Sequence, residues 1–376
     1  MFVRNPPGTL WPSEEQKLLL RAALAEQSAA VEAWQELRPR ISLDELEFGS
    51  FELLPLIYKN LSEAGHDDVD LPRLKGVYRR TWVKNNLLME RTKATSEALA
   101  HGQTRAEFVE GTVLASRFYD ELGLRPTSLL DVLVGARDGP MALAALSRAG
   151  WAERRDASPG NEGLRYLFDE DGNVCALRTT LAGDLTRSTA DAPPGTWLWG
   201  TGELHHVGDF DIPVPPPTET LFAVCVLHAR VTANRKVQWM VDAKMVLQAE
   251  IDWQRLVALA HETGQVSRLR DALDFLAFLP GTSPPQDTRD HLAAIPVSRR
   301  QRISYLCTVG GIRGLGGAPA LVGEHLAATA DRSPLGVVAA FPRFLRDRWN
   351  LSRTWHIPLS AGKRAARLIA QRGRAA

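Results

Sequence analysis

FVEGTVLASRFYDELGLRPTSLLDVLV, residues 108–134, decides how the rest of the chain is read. Phe108 and Val109 belong to a short extended run, RAEFVE. Glu110-Gly111 forms a turn, residues 112–122 have helical spacing, and Arg125-Pro126 lies in a loop. LLDVLV is then a buried strand carrying one acid, Asp131. The pattern predicts a strand–turn–helix–strand unit. Side chains two apart on a strand share a face, so the neighbour of Asp131 on its own face is Leu129. A carboxylate on an apolar strand is costly to bury alone. Asp131 is therefore either a functional ligand or one half of an internal pair, with Arg125 or a helix end as its partner.

On the N-terminal side the pattern is helical. Ser13 with Gln16, and Ser42 with Glu45, have the spacing of capping boxes, and Pro72 opens a long helical pattern that ends near Gly102. On the C-terminal side MALAALSRAGW is a helix closing on Gly150. LRYLF and VCALRTTL are extended runs joined by a hairpin turn at Asp171-Gly172. PVPPP, at Pro213 to Pro217, reads as a stiff linker, and the segments beyond it are helical. The expected class is α+β: a helical lobe over 1–102, a mixed-sheet core over 103–212, and a helical domain over 213–376 ending in Lys363, Arg364, Arg367, Arg372 and Arg374. That basic end reads as a solvated tail.

The net charge is +1, too small for an overall field that would recruit nucleic acid or an anionic membrane. Cys175, Cys225 and Cys307 form no CxxC pair, which suits a reducing compartment. MFVRNPPGTLWPSEEQ lacks the charged start and apolar run of a secretory leader. No apolar stretch reaches the roughly 18 residues of a membrane span. A cytoplasmic protein without a membrane is expected.

The order of several short segments resembles the nucleotidyltransferase type 5 family, a large and mostly uncharacterised bacterial group. The segments are PLIYKNL at Pro55 to Leu61, Glu110-Gly111, Tyr119, RPTSLLDVLV at Arg125 to Val134, Gly150-Trp151, His228, QWMVDAKMVL at Gln238 to Leu247, and Asp252-Trp253. The resemblance spans roughly residues 10–360. It implies a nucleotidyltransferase-like core flanked by helical lobes. It also implies a Gly-turn that handles a triphosphate, and strand carboxylates that hold metal for in-line transfer of a nucleoside monophosphate.

Against that pattern the chemistry is depleted. The first acid corresponds to Leu129, and Asp131 is the second. The third corresponds to Cys175, or to Asp169, Asp171 or Asp184 in a shifted register. The turn lysine is Glu110, which repels phosphate. Leucine and thiol are poor substitutes for the hard oxygen ligands that magnesium prefers. Gly111, Glu110, Arg125, His228 and Asp242 are the remaining candidates for nucleotide or substrate binding, with Asp131 as the catalytic and metal candidate. Arg125 reads as a loop brace before a phosphate contact, Tyr119 as a packing residue, and His228 with Asp242 as a polar pair between consecutive helices. His205-His206 reads as an exposed loop pair, and Leu74-Lys75-Gly76 as a solvated lysine at a helix start.

The expected function is a catalytically degenerate nucleotidyltransferase-fold protein that binds or regulates a nucleotide, peptide or protein partner in a biosynthetic pathway. The alternative is an active enzyme with a rebuilt site, using Mg2+ to move a nucleoside monophosphate to a small-molecule, peptide or protein acceptor. A third reading is a cleft turned to other chemistry.

Overall fold

Ser13 begins the first helix by capping it. Its hydroxyl accepts from the Gln16 amide at 3.2 Å, and the Gln16 side chain accepts from the Ser13 amide at 3.0 Å, the reciprocal arrangement the spacing predicts. The computed structural model describes residues 12–46, 48–135, 137–154, 164–179, 202–228, 237–279, 281–309, 321–323, 325–326, 329, 333–349 and 351–362. Helix α1 (Glu14–Leu24) packs on α2 (Gln27–Leu37). The second box, at Ser42, does not form. The Glu45 amide donates to the Ser42 carbonyl at 3.1 Å and closes a turn, and helix resumes only at α3 (Phe48–Phe51) and α4 (Leu54–Glu63), the latter with Pro55 in its first turn.

Helix α5 (Leu71–His101) carries Pro72 in its first turn, where a missing amide is harmless, and ends on Gly102. Its 31 residues extend about 46 Å at the α-helical rise. That length lets one helix serve two cores: Leu74 belongs to the first, Leu88 and Leu99 to the second. Lys75 and Gly76 are exposed residues inside this helix and form no turn.

The expected unit follows, as β1 (Ala106–Val109), α6 (Gly111–Arg117) and β2 (Leu130–Val134). The helix is shorter than its spacing suggests. Past Arg117 the chain turns, so that Phe118, Tyr119 and Leu124 are buried among the helices. After α7 (Gly139–Arg148) come β3 (Ala152–Glu153), β4 (Leu164–Phe168) and β5 (Val174–Arg178). The sheet order is β1-β2-β5-β4-β3, with β2 and β5 parallel and the other pairs antiparallel. Gly172, at φ +81°, makes the β4–β5 turn.

Register and alternation sort the sheet into two faces. Phe108, Leu130, Val132, Val134, Cys175 and Leu177 form one core with Ala142, Ala145 and Leu146 of α7. Glu107, Val109, Asp131, Leu133, Ala176 and Arg178 occupy the opposite face. Trp151 closes the apolar core, its indole donating to Thr95 Oγ1 at 3.1 Å with the Arg91 guanidinium 4.9 Å above the ring.

A hairpin, β6 (Glu203–Val207) and β7 (Phe210–Val214), adds Ile212 and Val214 to the sheet core. Pro213 pairs with Leu204 inside this hairpin, so the expected linker begins later. Both strands of a two-stranded sheet are edges, where the missing amide of proline interrupts no central ladder. Pro217 then opens α8 (Pro217–Ala223), followed by a π-helical turn (Val224–His228), α9 (Gln238–Val246), α10 (Trp253–Glu262), α11 (Val266–Leu276), α12 (Gln286–Ala294) and α13 (Arg299–Val309).

The helices of the two chain ends share a single core. Leu19, Trp34 and Ile57 lie in one apolar cluster with Phe222, Trp239 and Leu273, and the Lys244 ammonium donates to the Leu24 carbonyl at 2.9 Å. Among the described residues, no helix is long and apolar enough to cross a membrane.

Candidate functional site

The face of the sheet that carries Asp131 is where the Gly-turn, the central strand and β5 converge. Glu110 precedes Gly111 with φ +65° and ψ −136°, a conformation that residues other than glycine rarely hold and that costs about 1–3 kcal/mol. Gly111 is needed for space. A Cβ there would meet Thr127 Cγ2 at 3.0 Å and Arg125 Nη1 at 3.1 Å. The Gly111 carbonyl accepts from Arg125 Nη1 at 3.2 Å and from Thr127 Oγ1 at 3.3 Å. The loop after α6 thus clamps the turn in its strained shape.

Asp131 is 3% exposed. Its Oδ1 accepts from Arg178 Nε and lies 2.7 Å from both Nε and Nη2. Burial opposes the charge on Arg178, but Asp131 and then Glu110 outweigh it and hold the guanidinium pKa above its ordinary value. The internal partner of Asp131 is therefore Arg178, not Arg125. Leu129 lies one residue ahead of β2, half-buried, and its carbonyl accepts from Thr112 Oγ1 at 3.4 Å.

Cys175 does not join this face. It pairs with Leu130, and Ala176 pairs with Asp131, so the thiol points into the apolar core. Burial, followed by the charge of Asp131, pushes its pKa up. The register expected from sequence is off by one residue, which on a strand reverses the face. Asp169 is drawn away by Arg91, 2.9 Å distant. Asp171 is an exposed residue of the β4–β5 turn, and Asp184 lies outside the described residues, as does the basic tail.

Arg125 is the brace the sequence suggests, with a different anchor. Its Nε and Nη2 donate to the two oxygens of Asp242 at 2.7 and 2.9 Å. Tyr119 donates to the same carboxylate at 2.7 Å, and Gln238 donates to Asp242 at 3.2 Å and to Tyr119 Oη at 3.0 Å. Burial would raise the pKa of Asp242, but Arg125 and these hydrogen bonds keep it lowered. Burial and Asp242 raise that of Tyr119 well above its ordinary value. Tyr119 is thus a buried donor as well as a packing residue. Asp242 is engaged by these three groups. His228 ends the π-helical turn, and its side chain lies outside the described residues. This hub fastens the Gly-turn to the C-terminal helices.

His205 and His206 lie on strand β6, not in a loop. His205 Nε2 is 3.2 Å from Ser116 Oγ, and burial followed by Arg117 lowers its pKa. His206 Nδ1 is 2.9 Å from Asp211.

The residues present do not fit a pair of divalent ions. Such a site uses several convergent oxygen ligands. Here Asp131 is held by a guanidinium, its neighbours Leu129 and Ala176 carry no oxygen ligand, Cys175 faces away, and the other strand acid of this face, Glu107, lies across from Leu133, two residues further along β2. Among the described residues no three His, Cys, Asp or Glu side chains group to hold a metal ion.

The sequence model of the uncharacterised nucleotidyltransferase family matches residues 51–279, more than half of the chain. The chain belongs to that family. The match covers the Gly-turn, the Asp131 strand, the Arg178 strand and the Asp242 hub. No curated protein matches the chain.

Proposed function

We propose that this chain is a nucleotidyltransferase-fold protein that has lost catalysis and works by binding, holding a nucleotide, peptide or protein partner within a cytoplasmic biosynthetic pathway. The observation that carries this reading is the state of Asp131: the strand acid is buried and occupied by Arg178. In-line nucleotidyl transfer depends on carboxylates that hold metal against the phosphates. Losing one electrostatic stabiliser commonly costs ~10²–10³ in rate, and here Leu129 and Glu110 compound the change. The strained Glu110 turn supports a retained binding role for this part of the sheet face, since such conformations cluster at ligand-handling sites.

A second reading is an active enzyme rebuilt around Asp131, favoured by the survival of that acid on the central strand. Incubation with α-labelled nucleoside triphosphates and magnesium, with candidate peptide and small-molecule acceptors, separates the two. The proposal expects no label transfer or pyrophosphate release above that of Asp131→Ala. Transfer by the wild type that Asp131→Ala abolishes would replace it with the enzyme reading.

A further inference from the structure

We propose that Arg178 is a resident cation that takes the place of a divalent ion on the Asp131 face, making this site independent of metal. The inference rests on reading that face as the family's carboxylate face, but not on its being inactive.

Position is the first argument. Arg178 projects from β5, the strand hydrogen-bonded in parallel to β2, and it sits across from Leu133, two residues along from Asp131. Alternation puts both side chains on one face. Two guanidinium nitrogens lie 2.7 Å from the same carboxylate oxygen, so lone pairs a metal would use already accept from a donor that stays charged at any ordinary pH. The ion pair is largely buried, with the Asp131 side chain 5% exposed and that of Arg178 19%. A divalent ion arriving at this carboxylate would meet a fixed like charge at contact distance.

The turn supplies the second argument. Glu110 lies within electrostatic reach of Arg178. A glutamate is wrong for a turn that must face a triphosphate, but it suits a turn within electrostatic reach of a guanidinium. With Arg178 in place, Asp131 at contact distance and Glu110 at longer range both act on one built-in positive charge. The charge pattern of a metal-and-lysine site is inverted as a set, and the individual changes are mutually compatible.

The test uses the full chain, with Mn2+ alone as probe. Melting temperature is measured in EDTA and in millimolar Mn2+, and bound Mn2+ is read by electron paramagnetic resonance. The wild type should melt alike in both conditions. Arg178→Ala should melt lower in EDTA, recover in Mn2+, and bind Mn2+ about tenfold tighter than wild type, the scale on which single groups near a metal act. Adding Asp131→Asn to that variant should remove the gain, while Arg178→Lys should stay metal-independent. If Arg178→Ala does not fold, Arg178→Gln provides the same comparison. Mn2+ bound by the wild type and lost on Asp131→Asn would overturn the proposal. So would an Arg178 variant destabilised equally with and without Mn2+, because Arg178 would then be an ordinary structural partner. Wild-type nucleotidyl transfer that persists in EDTA would remove the non-catalytic reading and leave this proposal standing; transfer that requires metal would remove both.

Discussion

Two arginine–aspartate pairs with buried carboxylates serve the Gly111 turn and the sheet face beside it, and they are built differently. In the Arg125–Asp242 hub both carboxylate oxygens are bound, Tyr119 and Gln238 add donors, and the arginine and aspartate side chains are 10% and 4% exposed. In the Asp131–Arg178 pair the guanidinium converges on a single oxygen, and the arginine is more open to solvent. A buried ion pair contributes when its geometry is good and the remaining lone pairs are satisfied. The first pair meets that condition and joins three parts of the chain. The second is the pair we propose to have exchanged a metal ion for a guanidinium. Burial alone does not separate a brace from a candidate functional site. What separates them is how the guanidinium meets the carboxylate and what lies on the same face.

The largest effect is expected at the hub. Arg125→Ala leaves Asp242 charged and uncompensated, and should cost about 3–5 kcal/mol, read as a fall in denaturation midpoint with the slope unchanged. A loss comparable to that of a surface pair would end the distinction drawn above. Asp131→Asn should cost less, about 1–3 kcal/mol, because Arg178 keeps partial access to water. A larger loss there than at Arg125 would invert the comparison.

Acid should act on the hub in a defined direction. The folded pKa of Asp242 is depressed. Its contribution is therefore complete above the ordinary carboxylate value of about 3.9 and is lost as pH falls through the lower folded value. Stability curves of wild type and Asp242→Asn should converge in that acid window and stay apart at neutral pH. Parallel curves would show that Asp242 carries no such linkage. The smallest effect is expected at the solvent-exposed Lys93–Asp209 pair. Lys93→Ala should leave the melting temperature within error, and a clear drop would mean that ion pairs contribute here without regard to burial.

Much of the architecture was legible from local pattern. The change of period around Phe108–Val134 marks strand, turn, helix and strand, Ser13-Gln16 is a true capping box, and Pro72 and Gly102 bound the long helix. The misreadings have physical causes. VCALR is apolar on both sides, as a buried strand is, so nothing in its periodicity says whether Cys175 or Ala176 shares a face with Asp131. The partner of Asp131 is 47 residues away and that of Arg125 is 117, separations that no local spacing encodes. At Ser42 a backbone carbonyl captured the amide that the capping box required. One signal did point to Arg178: a buried acid on β2 needs a cation, and VCALR offers one, its arginine.

Thermal unfolding of the wild type and of Asp131→Ala, each with and without magnesium plus a nonhydrolysable nucleoside triphosphate, tests the central claim most directly. Any ligand that binds only the folded form raises its stability. The account predicts no shift of the wild type that depends on both magnesium and Asp131. A large magnesium-and-nucleotide shift in the wild type, absent from Asp131→Ala, would contradict it.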